Sequence, residues 1–319
     1  MAEQIAHNRL QQIGVQDGAW HIAGPLAAIG PVPVPDVEIQ ALGHFAVRLA
    51  GLPVPASAWQ SRKARDLLKL LAGQLGKSVT REALAAALWP QARAEVALRR
   101  LSVLISTVRG VLDPARRHPA DRYLVTDPAT VRINPAHVAL DAPRFQKTAL
   151  AAIAADSAHF GGVGTRLARR PAGGVPVGDP TAGYDPPEDV DAHLLGQLEA
   201  AIAMYTDDFC DDGEFAGDLV ERPRAALADL HREAIRRLAR RCMHLGRPAS
   251  AIGWYMRLTA EDSYDESAHL GLIRALSATG RHGEAAQHYR EYVARMREID
   301  VEPADFPAPA NVSGRLNKS

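Results

Sequence analysis

The spacing of hydrophobic positions changes along the first 140 residues, and each change marks a predicted element. From Val37, hydrophobic and polar residues alternate through VEIQALG and HFAVRLA, which indicates a small antiparallel sheet. The spacing then becomes helical. The segment SRKARDLLKLLAGQLG gathers its hydrophobic residues on one face, places most of its basic residues off that face and ends at Gly76.

Two further helices and a hairpin complete this part of the pattern. Thr80 is a good N-cap for the helix REALAAALW, which Pro90 closes. A third helix is predicted from about Glu95 to Leu112, and its hydrophobic face consists of Leu101, Leu104, Ile105, Val108 and Leu112. The segments YLVT and TVRIN, joined by the turn residues DPA, predict a β-hairpin. Strands, three helices and a hairpin in this order indicate a winged helix, whose third helix occupies the recognition position.

The second half of the chain has a helical period to about Ile299 and contains an internal repeat. Four pairs of residues are each 34 positions apart: Gly246 and Gly280, Arg247 and Arg281, Ala251 and Ala285, and Tyr255 and Tyr289. This period, with glycine at the turn between helices, is typical of tetratricopeptide repeats. Because one repeat cannot bury its own hydrophobic face, we expect this short array to close against the winged helix or against a second copy of the chain.

These patterns divide the chain into five predicted segments. They are a weakly structured arm at 1–36, a winged-helix DNA-binding domain at 37–146, a helix end with a Gly/Pro-rich linker or insertion at 147–190, a tetratricopeptide-like domain at 191–302 and a disordered tail at 303–319. The Gly/Pro-rich stretch itself runs from about Gly161 to Pro187. The predicted fold class is mainly α, an α+β winged helix followed by an all-α helical repeat.

The net charge of zero conceals a strong segregation of charge. Between Gln60 and Arg117 there are twelve Lys or Arg residues against four acids, a local charge of +8. Between Asp185 and Glu221 there are twelve acids and no Lys or Arg, a local charge of −12. A basic block and an acidic block on one chain indicate a different partner for each.

The third helix is predicted to enter the major groove of DNA. With its hydrophobic face inward, its outer side carries Arg99, Arg100, Ser102, Val103, Ser106 and Thr107. Arginine pairs with guanine through two hydrogen bonds, and hydroxyls or a valine can meet bases, thymine methyl groups or phosphates. A solvated stripe on an ordinary surface helix is the alternative interpretation.

Other basic residues of the first domain are predicted to contact phosphates and so to make binding salt-dependent. They are Arg62, Lys63, Lys77, Arg81 and Arg109, with Arg122 or Arg132 in or near the wing. For Arg109, an ion pair with an acid inside the domain is an equally good interpretation. The loop from Trp89 to Glu95 is either a contact for a partner or a plain connector with Trp89 in the core.

Motifs for enzymatic chemistry are weak. Gly76-Lys77-Ser78 imitates the end of a phosphate-binding loop, but a helix precedes it where a strand is needed. The acids Asp207, Asp208, Asp211, Asp212 and Glu214 lack calcium-loop spacing, and the histidines and the two cysteines, Cys210 and Cys242, form no metal motif. We expect no enzyme activity, no cofactor and no metal. The N-terminus has no signal-peptide pattern and no run of about 20 apolar residues is present, so a cytoplasmic protein without membrane contact is expected.

Several of these segments resemble one known family. RRLSVLISTVRGVL resembles the recognition helix of response-regulator-type winged helices, in which Arg99, Leu101, Val103, Ile105, Val108, Arg109 and Leu112 match the pattern. YLVTDPATVRINPAHVALDAPRF resembles the wing and exit of the same domain in the Streptomyces antibiotic regulatory protein family. AIAMYTDDFCDDGEF and VERPRAALADLHREAIRRLARR resemble the start of that family's bacterial transcriptional activator domain, which continues as a tetratricopeptide-like array.

The resemblance, which covers roughly 37–302, implies regulation of transcription, usually activation, by binding promoter DNA and contacting RNA polymerase. It implies that the loop from Trp89 to Glu95 can touch polymerase, and a homodimer on DNA is expected. Two positions depart from the family: Ser102 stands where many relatives carry a basic residue, and Gly110 weakens the end of the recognition helix by about 1 kcal/mol. The competing hypothesis is a tetratricopeptide scaffold whose winged helix does not bind DNA.

Overall fold

The computed structural model describes residues 35–167, 188–210 and 217–307. The strands are β1 (Val37–Gln40), β2 (Ala46–Leu49), β3 (Leu52–Pro53), β4 (Val79–Thr80), β5 (Leu124–Thr126), β6 (Thr130–Ile133) and β7 (Val138–Leu140). The helices are α1 (Arg62–Gly73), α2 (Arg81–Leu88), α3 (Ala94–Leu112), α4 (Asp141–Leu167), α5 (Glu188–Met204), α6 (Asp218–His244), α7 (Pro248–Glu261), α8 (Glu266–Ala278) and α9 (His282–Glu298). A short 3₁₀ turn covers Ala56–Ala58.

Two small sheets frame the first three helices. The first has the strand order β3-β2-β1-β7: β1 pairs antiparallel with β2, as predicted, and parallel with β7, which sequence reasoning missed. The second has the order β4-β6-β5 and contains the predicted hairpin. The carboxylate of Asp127 accepts hydrogen bonds from the backbone N–H groups of Ala129 and Thr130 and so closes the hairpin turn. The winged helix is confirmed.

The helix ends follow from their capping residues. Helix α1 ends at Gly73, and Leu75 and Gly76 then adopt positive φ angles of 53° and 84° in the turn that follows. The Thr80 hydroxyl oxygen accepts a 3.2 Å hydrogen bond from the N–H of Ala83, so the predicted N-cap of α2 is confirmed.

Helix α4 connects the two halves of the chain. The Asp141 carboxylate at its start accepts hydrogen bonds from the N–H groups of Ala41 and Leu42 at 2.8 and 3.0 Å, which ties the helix to the end of β1. Burial raises the pKa of Asp141, and these N–H donors oppose that rise. The helix continues to Leu167, so the linker predicted from Gly161 begins later than expected and the predicted domain boundary at 146 falls within a helix. The remainder of the predicted linker, 168–187, lies outside the described residues.

The segment after α5 attaches the helical half to the winged helix. Gly43 donates a 3.0 Å backbone hydrogen bond to the carbonyl of Asp208, and the Thr206 hydroxyl donates to the carbonyl of Leu42 at 2.9 Å. The ring of Phe209 lies against Gly73, where an added Cβ would stand 3.3 Å from it. One hydrophobic core therefore runs from β1 to Leu227 in α6. The expectation that the helical array closes against the winged helix is confirmed.

The predicted repeat is also confirmed. Gly246 and Gly280 adopt positive φ angles of 66° and 78° at equivalent turns, before α7 and α9. Ala251 and Ala285 are both fully buried at the close contacts between helices. Helices α5 to α9 and part of α4 form a second hydrophobic core around these contacts.

A buried ion-pair network joins three helices of this half. Arg241 of α6 is inaccessible to solvent and contacts Asp156 of α4 at 2.7 Å and Asp191 of α5 at 2.5 Å. Asp156 is itself buried, with a further contact to Arg237 at 3.4 Å. The network fixes α4 and α5 against α6, and the charges of Arg241 and Asp156 at its centre are almost completely desolvated.

The predicted disordered tail is partly wrong. The Tyr289 hydroxyl donates to the carbonyl of Ala304 at 3.0 Å, and the N–H of Ala304 donates to the Tyr292 hydroxyl at 2.8 Å. Phe306 makes an edge contact with the ring of Tyr289. The tail is therefore packed on α9 as far as Pro307. The rest of the predicted tail, 308–319, and positions 1–34 of the predicted arm lie outside the described residues.

Candidate nucleic-acid interface

The recognition helix α3 has one packed face and one exposed face. Its inner residues are buried in the winged-helix core: Ala97, Leu101, Leu104, Ile105, Val108, Val111 and Leu112. The outer residues Arg99, Arg100, Ser102, Val103 and Ser106 are exposed, and Thr107 is half-buried. The structure therefore brings the sequence-predicted base-reading residues together on one surface, which we call the α3 outer face (residues 99–107).

Two features of this face suit contact with base edges. Among the described residues, Arg99 and Arg100 make no hydrogen bond or ion pair, so both guanidiniums keep their donors available. Val103 is an apolar residue with unusually high exposure, since 68% of its surface is accessible to solvent. An exposed valine between arginines and hydroxyls offers apolar contact of the kind made with a thymine methyl group.

The hydroxyl groups of the face are already partly engaged. Ser106 and Thr107 donate to the carbonyls of Ser102 and Val103, four residues earlier, at 3.2 and 3.1 Å. Ser102 donates in the same way to the carbonyl of Leu98 and accepts a 2.7 Å hydrogen bond from Arg81. Arg81 at the start of α2 is thereby joined to the outer face of α3, a contact between two predicted DNA-binding residues that sequence spacing did not indicate.

Arg109 has a different position from the other arginines of α3. Its guanidinium donates at 2.9 Å to both the carbonyl of Leu124 and the hydroxyl of Thr126, in the first strand of the wing. Burial lowers the pKa of Arg109. The predicted ion pair within the domain is absent from the described residues, and the predicted phosphate contact would require the side chain to leave the wing. Arg109 is a brace between recognition helix and hairpin.

Arg122 is likewise engaged within the protein. Its guanidinium forms an ion pair with Asp36, through a 3.0 Å contact from Nε and a second contact from a terminal nitrogen. This pair holds the segment before β1 against the loop that leads into the wing. Arg132 on β6 is half-exposed opposite Val125, and Lys77 is exposed in the turn after α1.

A cleft lies between α1 and the loop that precedes α3. Its volume is about 510 Å³, and it is lined by Lys63, Trp89, Pro90, Gln91, Arg93, Val96 and Arg100 with Leu88 and Ala92. Trp89 packs partly against the winged-helix core, as one of the two sequence interpretations expected. Arg93, just before α3, is an exposed basic residue that sequence reasoning left out, although its place before the recognition helix was a usable signal. Arg62, also predicted to contact phosphate, is exposed at the start of α1.

The other motifs considered in the sequence lie at the following places in the structure. Lys77 and Ser78 follow a helix and its turn. A phosphate-binding loop would need a strand in place of this helix. Asp208 accepts a 2.7 Å hydrogen bond from Tyr205, while Asp211, Asp212 and Glu214 lie outside the described residues. Cys210 and Cys242 are both buried. Within 35–167, 188–210 and 217–307, no group of three or more metal-ligating residues could hold an ion.

No helix in the described part of the chain is both long and apolar enough to cross a bilayer.

Comparisons with known proteins agree with both halves of this architecture. Residues 57–129 match the family model described as "Transcriptional regulatory protein, C terminal", and residues 185–306 match the "Bacterial transcriptional activator domain". Both domain types belong to regulators rather than to enzymes. A search of curated proteins found no match.

A solved structure of Mycobacterium tuberculosis EmbR in complex with a low-affinity phosphopeptide has a similar fold. The TM-score is 0.64 at 21% sequence identity, over 85% of the present chain. The chain spans 62% of the length of the EmbR chain. The two family matches stand in the order that the resemblance to the Streptomyces antibiotic regulatory protein family implies, and the similarity to EmbR is one of fold.

Proposed function

We propose that the protein is a sequence-specific DNA-binding regulator of transcription, and that it activates promoters. The observation that carries this proposal is the α3 outer face, where Arg99 and Arg100 lie exposed beside Val103 on a helix locked into a trihelical core. The major groove admits one α-helix, and arginine reads guanine there with two hydrogen bonds. The hydroxyl groups of Ser102, Ser106 and Thr107 already donate hydrogen bonds within the protein. Their oxygen atoms can still accept hydrogen bonds, and it is through these that they contact DNA.

Phosphate contacts come from basic residues around this face. Arg62, Lys63, Lys77, Arg81 and Arg132 are the proposed set, and Arg93 is added from its position before α3. Arg109 and Arg122 are assigned to holding the wing and the N-terminal segment instead, because both guanidiniums are bound within the protein.

The test is a gel-shift titration on a duplex that the wild-type protein has enriched from a random pool. We expect Arg99→Ala and Arg100→Ala each to weaken binding by about tenfold to a hundredfold, since each removes a pair of base contacts. Lys77→Ala should weaken binding equally on all duplexes and reduce the slope of log affinity against log salt by about 1.

Arg247→Ala, an exposed arginine of the helical half, is the matched control and should leave the affinity unchanged. Thermal melting of each variant checks that the fold survives. If both α3 variants bind DNA with unchanged affinity, α3 does not lie in the major groove. If the wild-type protein neither adheres to heparin nor enriches any duplex, the scaffold hypothesis replaces the regulator.

Activation is proposed to pass through the loop from Trp89 to Arg93, which borders the cleft beside α1 and contacts RNA polymerase while α3 holds the promoter. We also propose that the protein binds DNA as a homodimer in the bacterial cytoplasm. In transcription with purified polymerase, Arg93→Ala should reduce the amount of transcript more than it reduces promoter affinity. If the amount of transcript and the promoter affinity fall in proportion, Arg93 contacts DNA alone. Sedimentation as a monomer on a single-site duplex would exclude the dimer.

A further inference from the structure

A second basic site lies in the helical half, in a groove between α6, α7 and α8. Its volume is about 300 Å³. Arg236 and Arg240 of α6 line one side, Arg274 of α8 lines the other, and Tyr255 of α7 lies between them beside Gly271. No part of the proposed DNA interface belongs to this groove.

The three arginines are not equally neutralised. Arg236 is held by Glu233 at 2.8 Å and by Asp265 at 2.7 Å. Arg240 reaches Glu233 only at 3.4 Å and is half exposed. Arg274 is exposed and, within the described ranges, makes no hydrogen bond or ion pair. Arg274 therefore has no counter-charge within the described ranges, and Arg240 has only the more distant one of Glu233.

One acid also borders the groove. The Glu266 carboxylate accepts a 2.7 Å hydrogen bond from Tyr292. This bond holds it towards α9. Glu233 and Asp265 balance the charge of Arg236, so Arg240 and Arg274 are the lining cations that favour an anion in the groove.

The hydroxyl of Tyr255 is a second and independent sign of a ligand. Tyr255 is 96% buried, since only 4% of its surface is accessible, yet its hydroxyl has no hydrogen-bond partner among the described residues. Burial raises the pKa of Tyr255, so the group is a neutral donor at any physiological pH. The hydroxyl oxygen itself is not fully buried, and Tyr255 lines the groove, so a carboxylate there would accept its hydrogen bond.

Gly271 keeps this arrangement open. A Cβ added to Gly271 would lie 2.3 Å from the Tyr255 ring, so any side chain at this position would push the ring out of its place. The absence of a side chain lets the aromatic ring rest on the backbone of α8. The groove is therefore bounded by a bare helix surface on one side.

We propose that this groove binds the carboxylate side chains of an acidic segment of a partner protein. Arg240 and Arg274 pair with carboxylates from opposite sides, and the Tyr255 hydroxyl donates to one of them. A peptide suits the site because the two arginines stand exposed at its mouth, and helical-repeat arrays bind extended chains on such surfaces. A small metabolite would instead be enclosed over most of its surface.

The experiment uses the full-length protein and a fluorescein-labelled hexaglutamate peptide, with hexaglutamine as the neutral control peptide. Fluorescence anisotropy should show saturable binding of hexaglutamate and none of hexaglutamine. Arg240→Glu and Arg274→Glu should each raise the dissociation constant by about tenfold, because each replaces an attraction by a repulsion. Tyr255→Phe keeps the ring and should raise it by roughly threefold.

Arg290→Glu on α9 is the matched control, since it makes the same charge change at an exposed position outside the groove. Equal losses for Arg290→Glu and Arg274→Glu would mean diffuse attraction to the surface and would overturn the site. Failure of hexaglutamate to bind would overturn it as well. If free glutarate competes as strongly as the peptide, the occupant is a small dicarboxylate and the peptide assignment is wrong. Unaltered duplex binding by all groove variants would separate this site from the proposed DNA interface.

Discussion

The arginines of the two halves of the molecule serve different ends. In α6, Arg236, Arg237 and Arg241 form ion pairs with acids on α4, α5, α6 and the turn before α8. On the α3 outer face, Arg99 and Arg100 have no such partner within the described residues and project into solvent. These guanidiniums of α6 hold helices together, whereas those of the α3 outer face remain available for an external anion.

This difference separates stability from recognition. A buried ion pair cannot be broken without leaving a desolvated charge, so its removal should cost folding free energy. An exposed, unpaired arginine contributes little to folding, and its removal should be felt only when a ligand is present. Arg109, which braces the wing with bonds to a carbonyl and a hydroxyl, lies between these two cases.

The largest effect is expected at Arg241. Arg241→Met keeps much of the side-chain volume but leaves Asp156 and Asp191 without their closest cation, so the free energy of unfolding should fall by about 3–5 kcal/mol. Urea denaturation followed by circular dichroism measures it. The double variant Arg241→Met with Asp156→Asn should recover part of the loss, because it removes the stranded charge. A loss below about 1 kcal/mol in the single variant would contradict a structural role for this network.

The intermediate effect is expected at Arg109. Arg109→Met removes two donors that reach the wing, so the free energy of unfolding should fall by about 1–3 kcal/mol. Hydrogen exchange should accelerate first in β5 and β6. Arg132→Met on the same hairpin is the comparison variant and should leave that exchange unchanged. Equal acceleration in both variants would show that the hairpin does not depend on this brace.

The smallest effect is expected on the α3 outer face itself. Arg99→Ala and Arg100→Ala should change the free energy of unfolding by no more than about 0.5 kcal/mol, although the same variants are expected to lose DNA. Arg281→Ala, which breaks an exposed ion pair with Glu284, should likewise leave the stability almost unchanged, because solvent screens exposed pairs. Destabilisation of the α3 variants by several kcal/mol would mean that these arginines support the fold.

The elements of the fold could be predicted because local patterns govern them. The period of α3, the N-cap at Thr80, the hairpin turn at Asp127 and the 34-residue repeat each depend on residues close in sequence. The α3 outer face followed from the same period, because burial of one side of a helix determines which side is exposed. Residues 303–307 were misjudged because their order comes from Tyr289 and Tyr292, which belong to another element.

The winged helix, the repeat and the separate basic and acidic blocks could be read from the chain alone, since periodicity, capping and charge are properties of neighbouring residues. Which arginines are bound and which are available depends instead on contacts that form on folding. Arg122 meets Asp36 across 86 positions, Arg241 meets Asp156 across 85, and the basic groove forms only where three helices meet. A guanidinium has the same chemistry in every case, and its role is decided by the partners that folding brings within hydrogen-bond distance.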